Sequence, residues 1–197
     1  RKIDELIDDE RDAYSQLLAK FGMKCLLFNR FYHADLHAGN ILFMKNAKEE
    51  PQLGILDFGL MGELTKEEQN YFYEFFISLA KTNDNKAVAD NILQGLVTPV
   101  DVLNGLSIWD QNNLREDLGV LVGDVLDHKR NFRPEDVYKI NKLLRKHGLQ
   151  LSRSFCRIEL ALAISDSVSS NLSYKTSYIE NVKEAVQSMF QNDVIEY

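Results

Sequence analysis

Apolar residues return every three or four positions through the first part of the chain, which is the spacing of one helix face. The apolar positions between residues 4 and 28 include Leu6, Ile7, Tyr14, Leu17, Leu18, Phe21, Cys25 and Phe28. Gly22 interrupts the series. The pattern predicts a first helix over residues 4–28.

Residues 41–56 follow a different pattern, in which two short apolar runs flank a polar stretch. The runs are 41–44 and 53–56, and residues 45–52 between them are polar and include a proline. Two short apolar runs separated by turn-forming residues predict a β-hairpin.

Capping residues and apolar spacing predict seven further helices after residue 64. The predicted starts are Thr65, Asn83 or Asp84, Thr98, Asp110, Arg133, Ser152 and Ser177; the predicted ends are Lys81, Gly95, His128, His147 before Gly148, and Gln191. The helix led by Ser152 contains Phe155, Ile158, Leu160, Ala161, Leu162, Ile164 and Val168, and is predicted to be the central buried one. Phe72, Phe75, Phe76 and Leu79 share one helix face, which predicts core packing for the aromatic run 71–76.

Length and composition agree with one globular unit. The chain has 197 residues, 45% hydrophobic and 27% charged, and can bury one good core. We therefore expect a single domain over residues 1–197 with a mainly α (α+β) fold. Residues 1–64 would hold the first helix and the one short hairpin, and residues 65–197 a helical subdomain.

Charge and cysteine content argue against several functions. The 30 acidic and 23 basic residues give a net charge of −7, and without a Lys/Arg-rich stripe nucleic-acid binding is not expected. Cys25 and Cys156 lie far apart in apolar helical contexts, which predicts reduced core residues and no disulfide or metal site. No apolar run is as long as a transmembrane helix and no secretory signal begins the chain, so it is expected to be soluble as given.

A motif with chemical meaning surrounds the hairpin. His33, Asp35 and Asn40 have the spacing H-x-D-x-x-x-x-N, and a D-F-G triplet begins at Asp57, after the second strand. Phosphoryl transfer needs one carboxylate to orient the attacking hydroxyl and oxygen ligands to hold Mg²⁺ on the nucleotide phosphates. We predict that Asp35 is the catalytic base or orienting group and that Asn40 and Asp57 are metal ligands.

The other residues of the motif have supporting roles in this prediction. His33 is expected to be a hydrogen-bonding scaffold and not the general base. His37 lies where protein kinases often place a phosphate-contacting lysine, so a phosphate-positioning role and a local structural role are both open. Gly39 and Gly59 are expected to allow tight backbone turns, and Phe58 is expected to serve in packing.

The sequence around these residues resembles the UbiB/AarF (ADCK) family of atypical kinases. Residues 31–42, F-Y-H-A-D-L-H-A-G-N-I-L, are similar to the family's F-F-H-A-D-P-H-P-G-N-I-L, and residues 57–65, D-F-G-L-M-G-E-L-T, are similar to its D-F-G-x-x-G-x-L and the helix start that follows. The likeness is strong over roughly residues 10–80 and looser beyond them. Leu36 and Ala38 stand where the family usually has prolines, which puts the rigidity of the loop in doubt.

The resemblance implies a protein-kinase-like C-terminal lobe that binds ATP with Mg²⁺. Asp35 carries over as the catalytic aspartate, and Asn40 and Asp57 carry over as the metal ligands. Members are associated with ubiquinone (coenzyme Q) biosynthesis at the bacterial or mitochondrial inner membrane. The implied partners are therefore ATP, lipid or isoprenoid quinone precursors, the membrane surface and other ubiquinone-biosynthesis proteins.

Two other functions stay open. Aminoglycoside/choline-kinase-like phosphotransferases have a similar loop and triplet, and Leu36 favours them, whereas the five residues between Gly59 and Thr65 and the helix after them favour the UbiB type. So short an activation segment also argues against an ordinary protein kinase. The third function is a non-catalytic kinase-like scaffold. The presence of all three predicted catalytic and metal-binding residues argues against it.

The isolated chain is predicted to have little or no ATPase activity. It contains no Gly/Ala-rich nucleotide loop, no strand lysine paired with a helix glutamate and no K-x-G-Q element, which are parts of the N-terminal lobe in this family. Without that lobe the contacts to adenine and to half of the phosphates are missing. Mg²⁺-dependent ATP hydrolysis by the 197 residues alone measures this, and robust turnover would contradict the prediction.

Overall fold

Helices dominate the computed structural model, which describes residues 1–81, 84–128, 133–173 and 175–192. The helices of this part are α1 (Asp8–Asn29), α2 (Lys66–Lys81), α3 (Asn85–Gly95), α4 (Val100–Gly105), α5 (Ile108–Asp127), α6 (Pro134–Arg145), α7 (Arg153–Leu172) and α8 (Tyr178–Asn192). Its strands are β1 (Phe31–His33), β2 (Ile41–Lys45), β3 (Pro51–Ile55), β4 (Met61–Glu63), β5 (Val97–Thr98) and β6 (Gln150–Leu151). The predicted mainly α fold class is confirmed.

The strands form more than the one predicted hairpin. The antiparallel pair β2–β3 is that hairpin, with Ile41 opposite Ile55 and Lys45 opposite Pro51. The described residues contain two further antiparallel pairs, β1–β4 and β5–β6, which the sequence analysis missed. Strands of two or three residues are too short to show an alternating pattern, and their partners are distant in the sequence.

A side chain fixes the turn of the β2–β3 hairpin. The carboxamide oxygen of Asn46 accepts the backbone N–H groups of Lys48 and Glu50 at 2.8 and 3.1 Å. Glu49 adopts a left-handed backbone with φ of 63°. Asparagine commonly closes turns in this way because its short side chain can replace a backbone acceptor. The turn therefore closes through local bonds at the end of the hairpin opposite Asn40.

The first helix is shorter than predicted. Ile3–Glu5 forms a 3-10 turn, and the backbone is extended at Leu6 and Ile7 before α1 begins at Asp8. The extended residue Leu6 is buried, so packing of this side chain accounts for the break. At the other end Arg30 has a left-handed backbone with φ of 59°, which ends α1 directly before β1.

Most predicted helix caps are confirmed. Thr65 and Ser177 form capping boxes with Glu68 and Glu180, and Ser152 caps α7. Asp84 is the N-cap of α3, whereas the alternative Asn83 lies outside the described residues. Pro134 is the first residue of α6, and Gly148 beyond that helix has a φ of 74°.

Three helix boundaries differ from the predictions. The N-cap of α4 is Pro99, because Thr98 pairs with Gln150 in the β5–β6 ladder. Ser107 caps α5, and the predicted start Asp110 is its hydrogen-bonded partner in the first turn. Helix α6 ends at Arg145, two residues before the predicted end.

Two apolar clusters stabilise the fold. The main core joins α1, α2, α3, α5, α6, α7 and α8, and it includes all four residues predicted to pack there, Phe72, Phe75, Phe76 and Leu79. A smaller cluster, the loop-side core, lies under the chain segment that carries the motif. Its buried members are Leu6, Tyr14, Leu18, Leu36, Ile41, Phe43, Val168 and Leu172.

Two burial predictions were wrong. Helix α7 is buried along one face only, and Leu160 in its middle is 63% exposed. A helix turns by 100° per residue, so Leu160 lies about 200° from the buried Ile158, on the opposite side of α7. Cys156 is also exposed, whereas Cys25 is buried as predicted.

No helix among the described residues is both long and apolar enough to cross a membrane.

The exposed position of Leu160 predicts different stability effects along one helix. We expect Ile158→Ala to lower the free energy of unfolding by about 2–5 kcal/mol, because Ile158 is 2% exposed in the main core. Leu160→Ala is expected to change it by no more than about 0.5 kcal/mol. Urea unfolding followed by circular dichroism measures both variants, and equal destabilisation would contradict this arrangement of α7.

Candidate active site

Two short ladders frame the predicted catalytic motif. Residues 34–40 connect β1 to β2, and residues 56–60 connect β3 to β4. One bond beyond the regular pairs extends each ladder: Ala34 N–H donates to the Leu60 carbonyl at 2.9 Å, and Leu56 N–H donates to the Asn40 carbonyl at 2.9 Å. The catalytic loop and the D-F-G connection are therefore held together at both of their ends.

His33 joins these two connections through its ring. Its Nε2 lies 2.6 Å from the Asp57 carbonyl oxygen, and its Nδ1 accepts the backbone N–H of Asp35 at 3.2 Å. Because Nδ1 acts as an acceptor, the proton of a neutral ring is on Nε2, from where it donates to the carbonyl. The ring is buried and both of its nitrogens are used, so it links the two connections, and the scaffold role of His33 stays a prediction.

Asn40 and His37 are each bonded inside the catalytic loop. The side-chain amide N–H of Asn40 donates to the Asp35 carbonyl at 3.1 Å, so its carboxamide oxygen is the atom available for a cation. His37 Nδ1 accepts the Gly39 N–H at 3.0 Å at the start of a 3-10 turn, Ala38–Asn40. The other ring nitrogen lies 3.7 Å from the Asp35 carboxylate. The half-exposed His37 ring therefore has a local structural bond and also one nitrogen beside the predicted catalytic carboxylate.

Asp57 presents an exposed carboxylate at the end of the hairpin. One carboxylate oxygen accepts the Gly59 N–H at 2.7 Å, which fixes the orientation of the group. The next residue, Phe58, is 59% exposed, although its ring centroid lies 6.1 Å from that of His33. Phe58 is therefore largely exposed, and its packing role stays a prediction.

The two motif glycines are needed for space and not for an unusual backbone. Neither Gly39 nor Gly59 has a positive φ. A Cβ on Gly39 would lie 2.8 Å from the His37 ring, and one on Gly59 would lie 3.1 Å from the Asp57 carboxylate. A side chain at either position would push against one of the two predicted site residues.

Gly62 is a structural residue of the site that the sequence analysis did not single out. In the β1–β4 ladder it lies opposite Tyr32, whose ring covers it so closely that a Cβ would be 2.1 Å from the ring. An aromatic ring packed over a cross-strand glycine stabilises such short pairs. The signal in the sequence was the second glycine of D-F-G-x-x-G, five residues after Asp57.

Leu36 anchors the catalytic loop where the related family has a proline. Its side chain is 3% exposed and belongs to the loop-side core, against which Ala38 also packs. Burial of an aliphatic side chain of this size contributes about 1.5–3 kcal/mol. Apolar packing therefore restrains the loop in this chain, although neither of the two prolines is present.

Helix α1 holds the hairpin from the other side. The Tyr14 hydroxyl donates to the Met44 carbonyl at 2.6 Å, and its ring packs edge-on against Phe43 at 5.2 Å. Glu10 of the same helix pairs with Arg1 at 2.8 Å and with Lys45 at 2.7 Å. Hydrogen bonds from these two cations hold the pKa of Glu10 down to about 2. The half of the hairpin near its turn is thus fixed by both apolar and ionic contacts.

The oxygen atoms of the site suit a hard cation that is also bound by water or by substrate phosphates. Asp57 offers a carboxylate, Asn40 a neutral oxygen, and Asp35 lies one hydrogen bond away from Asn40. Among the described residues no group of three or more His, Cys, Asp or Glu side chains could hold a metal by itself. Mg²⁺ fits such a site because it is usually bound by one or two protein ligands together with water and substrate phosphates.

Comparison with known proteins agrees with this arrangement. Residues 4–91 match the model of a family described as the ABC1 atypical kinase-like domain. Two curated proteins named "Probable protein kinase UbiB", from Klebsiella pneumoniae subsp. pneumoniae and Klebsiella pneumoniae (strain 342), are each 34% identical to the chain over 88 residues. The match covers 43% of this chain and 16% of the length of each relative.

The residues of the candidate site lie within the part of the chain that is similar to an atypical kinase-like domain. The resemblance to the UbiB/AarF (ADCK) family is confirmed over residues 4–91, the part of the chain that is similar to the family model and to the two UbiB proteins. The matched part contains α1, both ladders of the site, α2 and the first half of α3.

The anchoring role of Leu36 is testable by stability. We expect Leu36→Ala to lower the free energy of unfolding by about 2–5 kcal/mol because it leaves a cavity in the loop-side core. Amide exchange in residues 33–40 should also become faster. His37→Ala removes an exposed ring from the same loop and should cost no more than about 1 kcal/mol. If Leu36→Ala is as mild as His37→Ala, packing does not restrain the loop.

Proposed function

We propose that the chain is the catalytic-loop side of a UbiB-type kinase or ATPase, working as part of a longer protein. In this proposal Asp35 orients the attacking hydroxyl or water, and Asn40 and Asp57 hold Mg²⁺ on the phosphates of ATP. His37 contacts the transferred phosphate, and His33 positions the catalytic loop. Bound Mg²⁺ would neutralise the charge that develops on the phosphate oxygens.

The observation that carries this proposal is the bridge made by His33. One ring fixes the backbone of Asp35 and of Asp57, and Asn40 is bonded to Asp35 in turn. Phosphoryl transfer depends mainly on the positions of charged groups around the phosphates, so a site of this kind needs rigid spacing between base and metal ligands. A solvated loop with incidental carboxylates would have no need for a buried imidazole between them.

The short connection after the triplet supports an acceptor other than a protein segment. Residues 60–64 do not loop away from the site, because β4 returns at once to pair with β1. A long activation segment is what holds a peptide substrate in protein kinases. The proposed acceptor is therefore water or a small or lipid-linked molecule. Together with the UbiB relatives, this supports a role in ubiquinone biosynthesis at a membrane surface, beside other proteins of that process.

Replacement of Asp57 tests the proposal in the full-length protein that carries this chain. Asp57→Asn removes the charge but keeps an oxygen that can accept the Gly59 N–H, so the fold should be preserved. We expect Mg²⁺-dependent ATP turnover to fall by about a hundredfold or more, because a metal-binding carboxylate is lost. Enzyme kinetics at saturating Mg²⁺, with circular dichroism for folding, measure this.

The matched control is Asp101→Asn, which makes the same change at an exposed position of α4 and should leave turnover unchanged. Full turnover by Asp57→Asn would remove the metal role from the proposal. If the variant loses nucleotide binding and the protein still functions in cells, a non-catalytic scaffold explains the motif better.

A further inference from the structure

A groove between α5 and α6 combines an apolar floor with a basic rim. We call it the lysine-rimmed groove; its volume is about 340 Å³, and its lining residues are Asp117, Val120, Leu121, Lys139, Lys142, Leu143 and Lys146. The floor consists of Leu121 and Leu143, with Val120 at its edge; Lys139 and Lys142 lie on α6, and Lys146 is the C-cap of that helix. The groove lies wholly beyond residues 4–91, so it belongs to no part of the kinase-like match.

The rim charges have no partners among the described side chains. Lys139, Lys142 and Lys146 form no ion pair with any carboxylate of the described residues, although the chain has a net charge of −7. The spacing of three and four residues places them on one side of α6. Three neighbouring cations without counter-ions attract an anionic ligand.

An exposed apolar residue lies at the edge of this basic surface. Val120 on α5 is 73% exposed, and Tyr138 beside the rim on α6 is 66% exposed. The apolar floor and the charged rim have the composition of a protein interface, in which an apolar centre is surrounded by polar groups. The ligand should therefore be amphipathic, with apolar groups for the floor and acidic groups for α6.

The acidic side of α5 excludes a broad anionic surface as the ligand. Val120 also borders a second depression, which is lined by Asp84, Glu116, Asp124 and Asp127 and by one lysine, Lys86, which pairs with Glu116 at 3.2 Å. Asp117 lies inside the lysine-rimmed groove itself. A flat anionic membrane that contacted the lysines would also approach these carboxylates, which would repel it. A narrow ligand laid along α6 would meet the three lysines and Asp117 and would avoid the other four carboxylates.

The length of the rim fits a short helix. Lys139 and Lys146 are seven residues apart, which is two helical turns and about 10 Å along α6. Helices that bind in grooves use apolar residues at i, i+3 or i+4 and i+7, which cover the same length. We propose that the lysine-rimmed groove binds an acidic amphipathic helix of a partner protein, with its acidic flank against α6 and a basic residue near Asp117.

A designed peptide tests this with the full chain. The probe is a fluorescein-labelled helical peptide of about 15 residues with leucines at i, i+4 and i+7, glutamates on one flank and a lysine on the other. We expect saturable binding by fluorescence anisotropy, which weakens as salt is raised. The triple variant Lys139→Glu, Lys142→Glu, Lys146→Glu should weaken binding by about tenfold or more.

Two controls separate the groove from overall charge. Lys20→Glu, Lys24→Glu, Lys66→Glu makes the same charge change at exposed positions outside the groove and should bind the peptide like the unchanged chain. Val120→Asp keeps the lysines but puts a negative charge at the apolar edge of the groove, and it should also weaken binding. A scrambled peptide of the same composition should bind poorly, because its leucines no longer share one face.

Three results would overturn the proposal. The first is equal peptide binding by the unchanged chain and the triple lysine variant. The second is absence of peptide binding together with lysine-dependent sedimentation on phosphatidylcholine/phosphatidylglycerol vesicles, which would make a membrane the ligand. The third is a dimer in analytical ultracentrifugation that the triple variant abolishes, which would make a second copy of this chain the occupant.

Discussion

The ring of His33 is the contact around which the rest of the candidate site is arranged. Its Nε2 lies 2.6 Å from the Asp57 carbonyl oxygen, and its Nδ1 lies 3.2 Å from the Asp35 backbone nitrogen. Both partners are backbone atoms, so the bridge does not depend on the rotamer of any neighbouring side chain. Asn40 is bonded to Asp35, and its carbonyl extends the hairpin that ends near Asp57. The predicted base and metal ligands are therefore parts of one hydrogen-bond network.

Two different interactions hold that hydrogen-bond network in place. On one side, Tyr14, Leu36 and Phe43 bury the underside of the loop and hairpin in the loop-side core. On the other, the β1–β4 ladder closes the chain immediately after the triplet. Hydrophobic burial has no direction, whereas the ladder has fixed register, so the first supplies stability and the second supplies position.

Local signals in the sequence predicted the hairpin and most helix caps, whereas the roles of Asp35, Asn40 and Asp57 stay predictions from signals of the same kind. These features depend on residues close together in the chain, where spacing and capping chemistry act directly. The β1–β4 pairing was missed because it joins three-residue segments about thirty positions apart. Its trace in the sequence is a single glycine at position 62.

Burial was harder to predict than helix formation. In α7 the apolar residues alternate too densely to define one face, so Leu160 could not be told from Ile158 without the neighbouring helices. The same limit explains Cys156, which is exposed despite its apolar context. The stabilising packing of Leu36 was also hidden, because motif comparison showed a missing proline and gave no information on what lies beneath the loop.

The closed turn of the β2–β3 hairpin has a practical consequence for measurement. Its bonds between Asn46, Lys48 and Glu50 are local, and the five-residue strands carry it about 16 Å away from Asn40. A fluorophore attached to Lys48→Cys, in a chain whose exposed Cys156 is replaced by serine, would lie at this turn and away from Asn40. Energy transfer between this fluorophore and a labelled nucleotide would then report the distance between the hairpin turn and the nucleotide.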